Sequence, residues 1–140
     1  MNIDFAVVCD YALIDRFGKL SVLGVFQNVW VASFPTVHPR VHLVIRLKGA
    51  RTEVGEHDIK INFSDSHGKQ LISGDGKVNF SEPPAGVLEV EAGAVLVFDI
   101  PLPEPGRYKF EITIDSAIRT TVPVVAAQAL APPTNGTESG

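Results

Sequence analysis

Chemically versatile residues are scarce in this chain of 140 residues: there is one cysteine, one methionine and one tryptophan. The single cysteine, Cys9, excludes an intramolecular disulfide and suits a reducing compartment. Its valine neighbours mark it as a small buried hydrophobe rather than a reactive thiol. Basic charge is not in excess either. The 12 Lys and Arg are scattered and outnumbered by 16 Asp and Glu, so no basic stripe is available to displace counterions from nucleic acid. No stretch approaches the ~18 apolar residues of a spanning helix, which argues against a membrane partner. The opening MNIDFAVVCD has no positively charged region, and the apolar run between Asp4 and Asp10 is too short for a secretory signal. A cytoplasmic protein is therefore expected.

Catalytic motifs are also missing. There is no G-x-S-x-G or comparable nucleophile turn. SGDGK, Ser73 to Lys77, lacks the length and the following helix of a phosphate loop, and reads as a turn or bulge between strands. His38 and His42 have the spacing that would align two imidazoles on a helix, but Pro39 and the alternating VHLVIRL put them on a loop entering a strand. Four residues of strand rise roughly 13 Å, too far for one ion to bridge. His57 and His67 fall at a strand start and in a turn, ordinary places for a solvated imidazole. Glu89 and Glu91 share a strand face without the spacing of a calcium loop. The expectation is no enzyme, no cofactor and no metal.

What the chain does have is alternation at period two, broken about every ten residues by Gly, Pro, Asp or Ser. With 45% apolar and 20% charged residues and a net charge of -4, it is an ordinary globular composition. The pattern is that of one all-β domain, an antiparallel β-sandwich of immunoglobulin-like or Greek-key type with about seven or eight strands. In RYKFEITID, Tyr108, Phe110, Ile112 and Ile114 point one way and charged or polar residues the other. RVHLVIRLK places Val41, Leu43, Ile45 and Leu47 inward, and HDIKINF does the same with Ile59, Ile61 and Phe63. EPGRY has the spacing of a tyrosine corner, whose phenol bonds backbone just upstream. The sandwich is expected over residues 1–126, followed by an Ala, Pro, Thr and Gly-rich tail over 127–140 that is too polar to order itself from about Pro132.

DRFGK at 15–19 and DSHGK at 65–69 share one turn chemistry. Asp opens the turn, Gly takes the left-handed position, and Lys resumes the strand after a bulge. The first turn sets Asp15 opposite Lys19, so paired residue numbers sum to 34 and Asp10 faces Gly24. The hairpin then has no polar side. Val8, Ala12, Val22 and Phe26 share the face of Asp10, while Val7, Cys9, Tyr11, Leu13, Leu23 and Val25 share the other. A two-layer sandwich covers only one of them. Either the domain covers the Asp10 face itself, with loops 34–40 and 81–93 and the segment after Pro123, or a second copy or another protein does. A carboxylate among apolar residues needs a hydrogen bond or ion pair, and Gly24 leaves room for one.

An Asp in the first strand, D-x-x-G-K-L-S-V-L-G leading to a Trp, S-F-P-T-V-H-P-R before a long strand, and a late P-G-R-Y-K-F-E-I resemble a family of small bacterial proteins known only as a domain of unknown function. The likeness spans Asp4 to Val125. It implies a bacterial, β-rich, cytoplasmic protein, and its motifs are fold determinants with no activity attached. The functional expectation is accordingly a non-enzymatic interaction or structural module, a homodimer or a docking partner for another protein, acting through its N-terminal hairpin. The alternative is small-ligand or carbohydrate binding at Trp30 and the 34–40 loop. Asp10, Gly24, Phe26, Trp30 and His38 are the candidate site residues.

Overall fold

In the computed structural model, which describes residues 1–129, alternation does produce a two-sheet sandwich. Nine strands form it: β1 (Asn2–Ile14), β2 (Leu20–Phe26), β3 (Asn28–Val31), β4 (Thr36–Ala50), β5 (Gly55–Ser64), β6 (Gln70–Phe80), β7 (Glu89–Leu102), β8 (Gly106–Ile114) and β9 (Ile118–Gln128). One sheet has the order β2-β1-β4-β7 and the other β3-β9-β8-β5-β6. The hairpins β1–β2, β5–β6 and β8–β9 stay within a sheet, and every other connection crosses between sheets.

The strand beyond the expected seven or eight is explained by Gln27, where the chain leaves the first sheet and starts β3 in the second. Its carbonyl accepts a hydrogen bond from Val125 N–H at 2.8 Å. β3 consequently runs parallel to β9, one parallel pair in an otherwise antiparallel fold. Two expected breaks are strand instead. Thr36 to Arg40 belong to β4, with a bulge between His38 and Val41 and Arg40 at φ +53, so the loop before it covers only 32–35. SGDGK lies inside β6, where Gly74 and Gly76 pair with core-facing Ile61 and Ile59. An added Cβ at Gly74 would stand 3.3 Å from the Phe98 ring, and one at Gly76 3.6 Å from Leu96. These glycines make room for large β7 side chains rather than a turn. β9 ends at Gln128, two residues past the expected end of the domain; the tail from residue 130 on, Pro132 included, lies outside the described residues.

The core is the alternation made solid. Val41, Leu43, Ile45 and Leu47 from one sheet meet Ile59, Ile61, Phe63, Tyr108, Phe110, Ile112 and Ile114 from the other, all buried. Phe63 stacks parallel on Tyr108 at 5.5 Å and tilts against Phe110 at 4.7 Å, geometries favoured by the aromatic quadrupole. The tyrosine corner is present: the Tyr108 hydroxyl donates to Glu104 C=O at 2.5 Å and accepts from Glu104 N–H at 3.2 Å. Both Asp-x-x-Gly-Lys turns form as their chemistry dictates. Asp15 Oδ1 accepts from Phe17 and Lys19 N–H at 2.8 and 2.9 Å, with Gly18 at φ +83. Asp65 does the same for His67 and Lys69, both at 2.9 Å, with Gly68 at φ +82.

Candidate functional site

The register set by the first turn holds through the hairpin: Ile14 pairs with Leu20, Ala12 with Val22, Tyr11 with Leu23, and Val8 with Phe26. Asp10 and Gly24 thus lie opposite each other. The distribution of faces is different from strict alternation. Cys9 and Ala12 are both buried, while the two residues between them, Asp10 and Tyr11, are both exposed, so the ribbon turns about its axis there. Gly24 takes φ +72 at this point, and a Cβ added to it would overlap Asp10 Oδ2, with Asp10 Cγ 2.9 Å away. Only glycine has both the conformation and the absent side chain.

Beyond the twist the hairpin lies on its own sheet. Leu43 and Ile45 point into the sandwich, so Val44 between them points out, yet it is fully buried. It forms a second small core with Cys9 and Ala12, against which Val7, Leu20, Val22 and Val95 pack. Ile14 and Leu20 reach β7, where a Cβ on Gly93 would be 3.5 and 3.7 Å from their methyl groups. Beyond the twist the cover is therefore strands β4 and β7; Val8 and Phe26, before it, lie at the main core, which includes Val124 and Ala126 of the segment after Pro123, and Phe26 meets His38 of the 34–40 segment. Burial also pushes the Cys9 thiol up, and its Sγ–H donates to Tyr11 C=O at 3.3 Å, which makes it a packing residue rather than a nucleophile.

The uncovered face is the opposite one. Tyr11 is 52% exposed, Leu13 41%, Leu23 67% and Val25 60%. Tyr11 and Leu23 are direct cross-strand neighbours and with Leu13 form one apolar ridge; Val25, two residues along β2 from Leu23 but the partner of buried Cys9, borders it across the twist. The ridge continues onto the sheet, where the Tyr11 ring lies 5.4 Å from that of His42 and His42 pairs with exposed Val97.

The five expected site residues fall into three groups. Asp10 and Gly24 are together, but Asp10 is exposed and has no hydrogen-bond or ion-pair partner among the described residues, so no buried pair is required. Phe26 packs edge-on against His38 with ring centroids 6.0 Å apart, and it borders the main core. Trp30 stands apart on β3, 66% exposed.

One constellation had no sequence signal. His57 is not solvated: only 14% of its side chain is exposed, and it bonds Asp115 Oδ2 through Nδ1 and Glu53 C=O through Nε2, each at 2.6 Å. Both partners are acceptors, so both ring nitrogens donate and the imidazolium is the form that fits. The Asp115 hydrogen bond first, and the Glu53 carbonyl second, raise its pKa above the ordinary 6.5. His57 first, and Asp58 N–H second, hold the Asp115 carboxyl below its ordinary 3.8. Neither ring nitrogen is free to accept a proton from a substrate, so the pair is a clamp. It fixes the β8–β9 turn, where Asp115 and Ser116 sit at φ +51 and +59, conformations that cost a non-glycine residue energy. Among the described residues no three metal-ligating side chains gather, and no helix is long and apolar enough to cross a membrane.

The family of unknown function DUF6941 matches residues 4–127. The chain belongs to this family. No curated protein matches the chain. Membership spans all of β2 to β8 and most of β1 and β9, so the twisted hairpin and its ridge lie within the family's domain.

Two outcomes are expected. Gly24→Ala destabilises the protein by about 1–2 kcal/mol in urea denaturation from the left-handed backbone alone, and more from the Asp10 overlap; in an Asp10→Ala background the second contribution shrinks, because only the residue-10 Cβ, 3.1 Å away, remains. An equal loss in both backgrounds would rule out the overlap. The clamp has a pH signature. His57, raised in the fold, stabilises fully below about pH 6.5 and loses that contribution as pH climbs through its folded pKa. Asp115, lowered in the fold, stabilises above about pH 3.8 and loses that as pH falls through its folded pKa. Wild type minus His57→Gln stability is therefore greatest between these values and shrinks above them. NMR titration of His57 at or below 6.5 would contradict this.

Proposed function

We propose that the protein is a non-enzymatic interaction module that docks a protein partner through its N-terminal hairpin. The observation carrying this reading is the ridge of Tyr11, Leu13, Leu23 and Val25, left in solvent although the hairpin's other face is packed down. Contiguous exposed apolar surface on a small domain marks a contact site, and aromatic residues such as Tyr11 are enriched at such sites. A bacterial, cytoplasmic setting goes with the proposal; it is supported by the lone, buried and unpaired Cys9 and by the sequence resemblance. A photocrosslinking residue at position 23, activated in cells, is expected to yield a discrete adduct, with this chain or with another protein. The same residue at position 60, on the charged outer face of β5, serves as background. Equal labelling from both positions would sink the proposal.

A second reading, small-ligand or carbohydrate binding at Trp30, is favoured by the exposed indole next to the 32–35 loop. A saccharide stacking on that ring would protect it from acrylamide quenching. A blue-shifted, unquenchable emission in the free protein would remove this reading.

A further inference from the structure

Strand register places four side chains in one row across the outer face of the second sheet. Lys60 of β5 pairs with Asp75 of β6 on one side and with Thr113 of β8 on the other, and Thr113 pairs with Arg119 of β9. Their neighbours along β5 and β8, Ile59, Ile61, Ile112 and Ile114, are buried. Lys60 and Thr113 therefore point to water, and Arg119, the partner of Thr113, shares their face. Elsewhere on this face Lys77 holds Asp58 at 2.7 Å and Lys109 reaches Glu111 at 4.0 Å. Among the described residues Lys60 and Arg119 join no ion pair, Asp75 included, and the Thr113 hydroxyl makes no hydrogen bond. Two cations without counterions thus flank one free hydroxyl.

We infer that Lys60, Thr113 and Arg119 bind the phosphate group of a small phosphate monoester. Strand spacing sets the two cations roughly 10 Å apart at Cα, with the threonine midway. Both side chains are long enough to lean inward over it, but like charge keeps them apart until an anion lies between. The three terminal oxygens of a phosphate accept from three directions: Lys60 on one side, the Arg119 fork on the other and the Thr113 hydroxyl beneath. A planar carboxylate offers only two oxygens. At neutral pH a phosphate monoester carries close to two negative charges, which the two cations match. Lys60 and Thr113 also border a hollow of about 400 Å³, lined further by Asp58, Asp75 and Ser116. Those acceptors suit the hydroxyl groups of a sugar or polyol body and repel a second phosphate. Support comes from beneath the row. The next pair along the hairpin is Ile114 with Ile118, and beyond it the His57–Asp115 clamp fixes the turn, so Thr113 and Arg119 are held in place before a ligand arrives. This site lies on the opposite sheet from the hairpin ridge and is independent of the docking role proposed for it.

Amide NMR of the full chain, titrated in turn with glucose 6-phosphate, inorganic phosphate, malonate and glucose, tests the site. Glucose 6-phosphate is expected to shift the Lys60, Thr113 and Arg119 resonances saturably, with a dissociation constant of about 1 mM. Inorganic phosphate should bind the same residues more weakly, malonate more weakly still, and glucose alone should not saturate. Lys60→Gln and Arg119→Gln should each weaken glucose 6-phosphate by about threefold or more, and Thr113→Val should weaken it as well. Lys109→Gln, a change of the same charge on the same face, should leave the affinity unaltered. All four positions are at least partly exposed, so unchanged amide spectra away from each substitution will show the fold intact. Shifts that stay linear through about ten times the expected constant, or an affinity indifferent to Lys60→Gln and Arg119→Gln, would overturn the inference. So would an equal loss from Lys109→Gln, since that marks diffuse attraction to the face. Malonate binding as tightly as glucose 6-phosphate would overturn the assignment to phosphate.

Discussion

The missing side chain of Gly24 is the constraint on which the outer layer of this protein depends. A ribbon leaving the edge of a sheet must either extend into solvent or turn back, and turning back requires a sharp local twist. Gly24 supplies it with a backbone conformation closed to most residues, and by standing opposite Asp10 it also leaves that carboxylate somewhere to lie. Without the twist, Ala12 and Val22 would stay in phase with Val8 and Phe26 and could not reach Val44. With it, Cys9, Ala12 and Val44 close into a core of their own. The first sheet is thus covered by the second sheet on one face and, around Val44 and Val95, by its own hairpin on the other.

That arrangement settles which surface is left over. A two-stranded ribbon has two faces, and packing one against the sheet necessarily presents the other to solvent. The covering strand β2 is also the end of its sheet, so the apolar ridge and an edge without charge or proline occur on one element. Each alone is common in small β proteins. Their coincidence is what directs attention, for a protein partner, to this hairpin rather than to the polar outer face of the second sheet, where Lys77 is already paired with Asp58 at 2.7 Å.

Much of this was legible in the sequence because it is local. The hairpin register follows from one Asp and one Gly at fixed separation, and the inward residues of β4, β5 and β8 follow from period two. What could not be read depends on partners distant in the chain. Whether a glycine marks a turn or a gap for a neighbour is decided by the neighbour: Gly74 is a gap because Phe98 faces it. His57 looked solvated because Asp115, 58 residues away, is brought to it only by β5–β8 pairing. The twist at Gly24 is the instructive failure. Pairing numbers survived it unchanged, since both strands turn together, but the faces did not. Register and facing are separate quantities, and a turn motif determines only the first.

The exposed ridge is also not a by-product of an apolar chain. The outer faces of β8 and β5 use charge: Arg107, Lys109 and Glu111 on the first, Glu56, Asp58 and Lys60 on the second. The hairpin's outer face has only Ser21 among Tyr11, Leu13, Leu23 and Val25. The contacts that hold the hairpin down are made mainly by Ala12, Leu20 and Val22 on the other side. The ridge lies on one of the two edge strands, β2 and β3, that among the described residues carry neither charge nor proline.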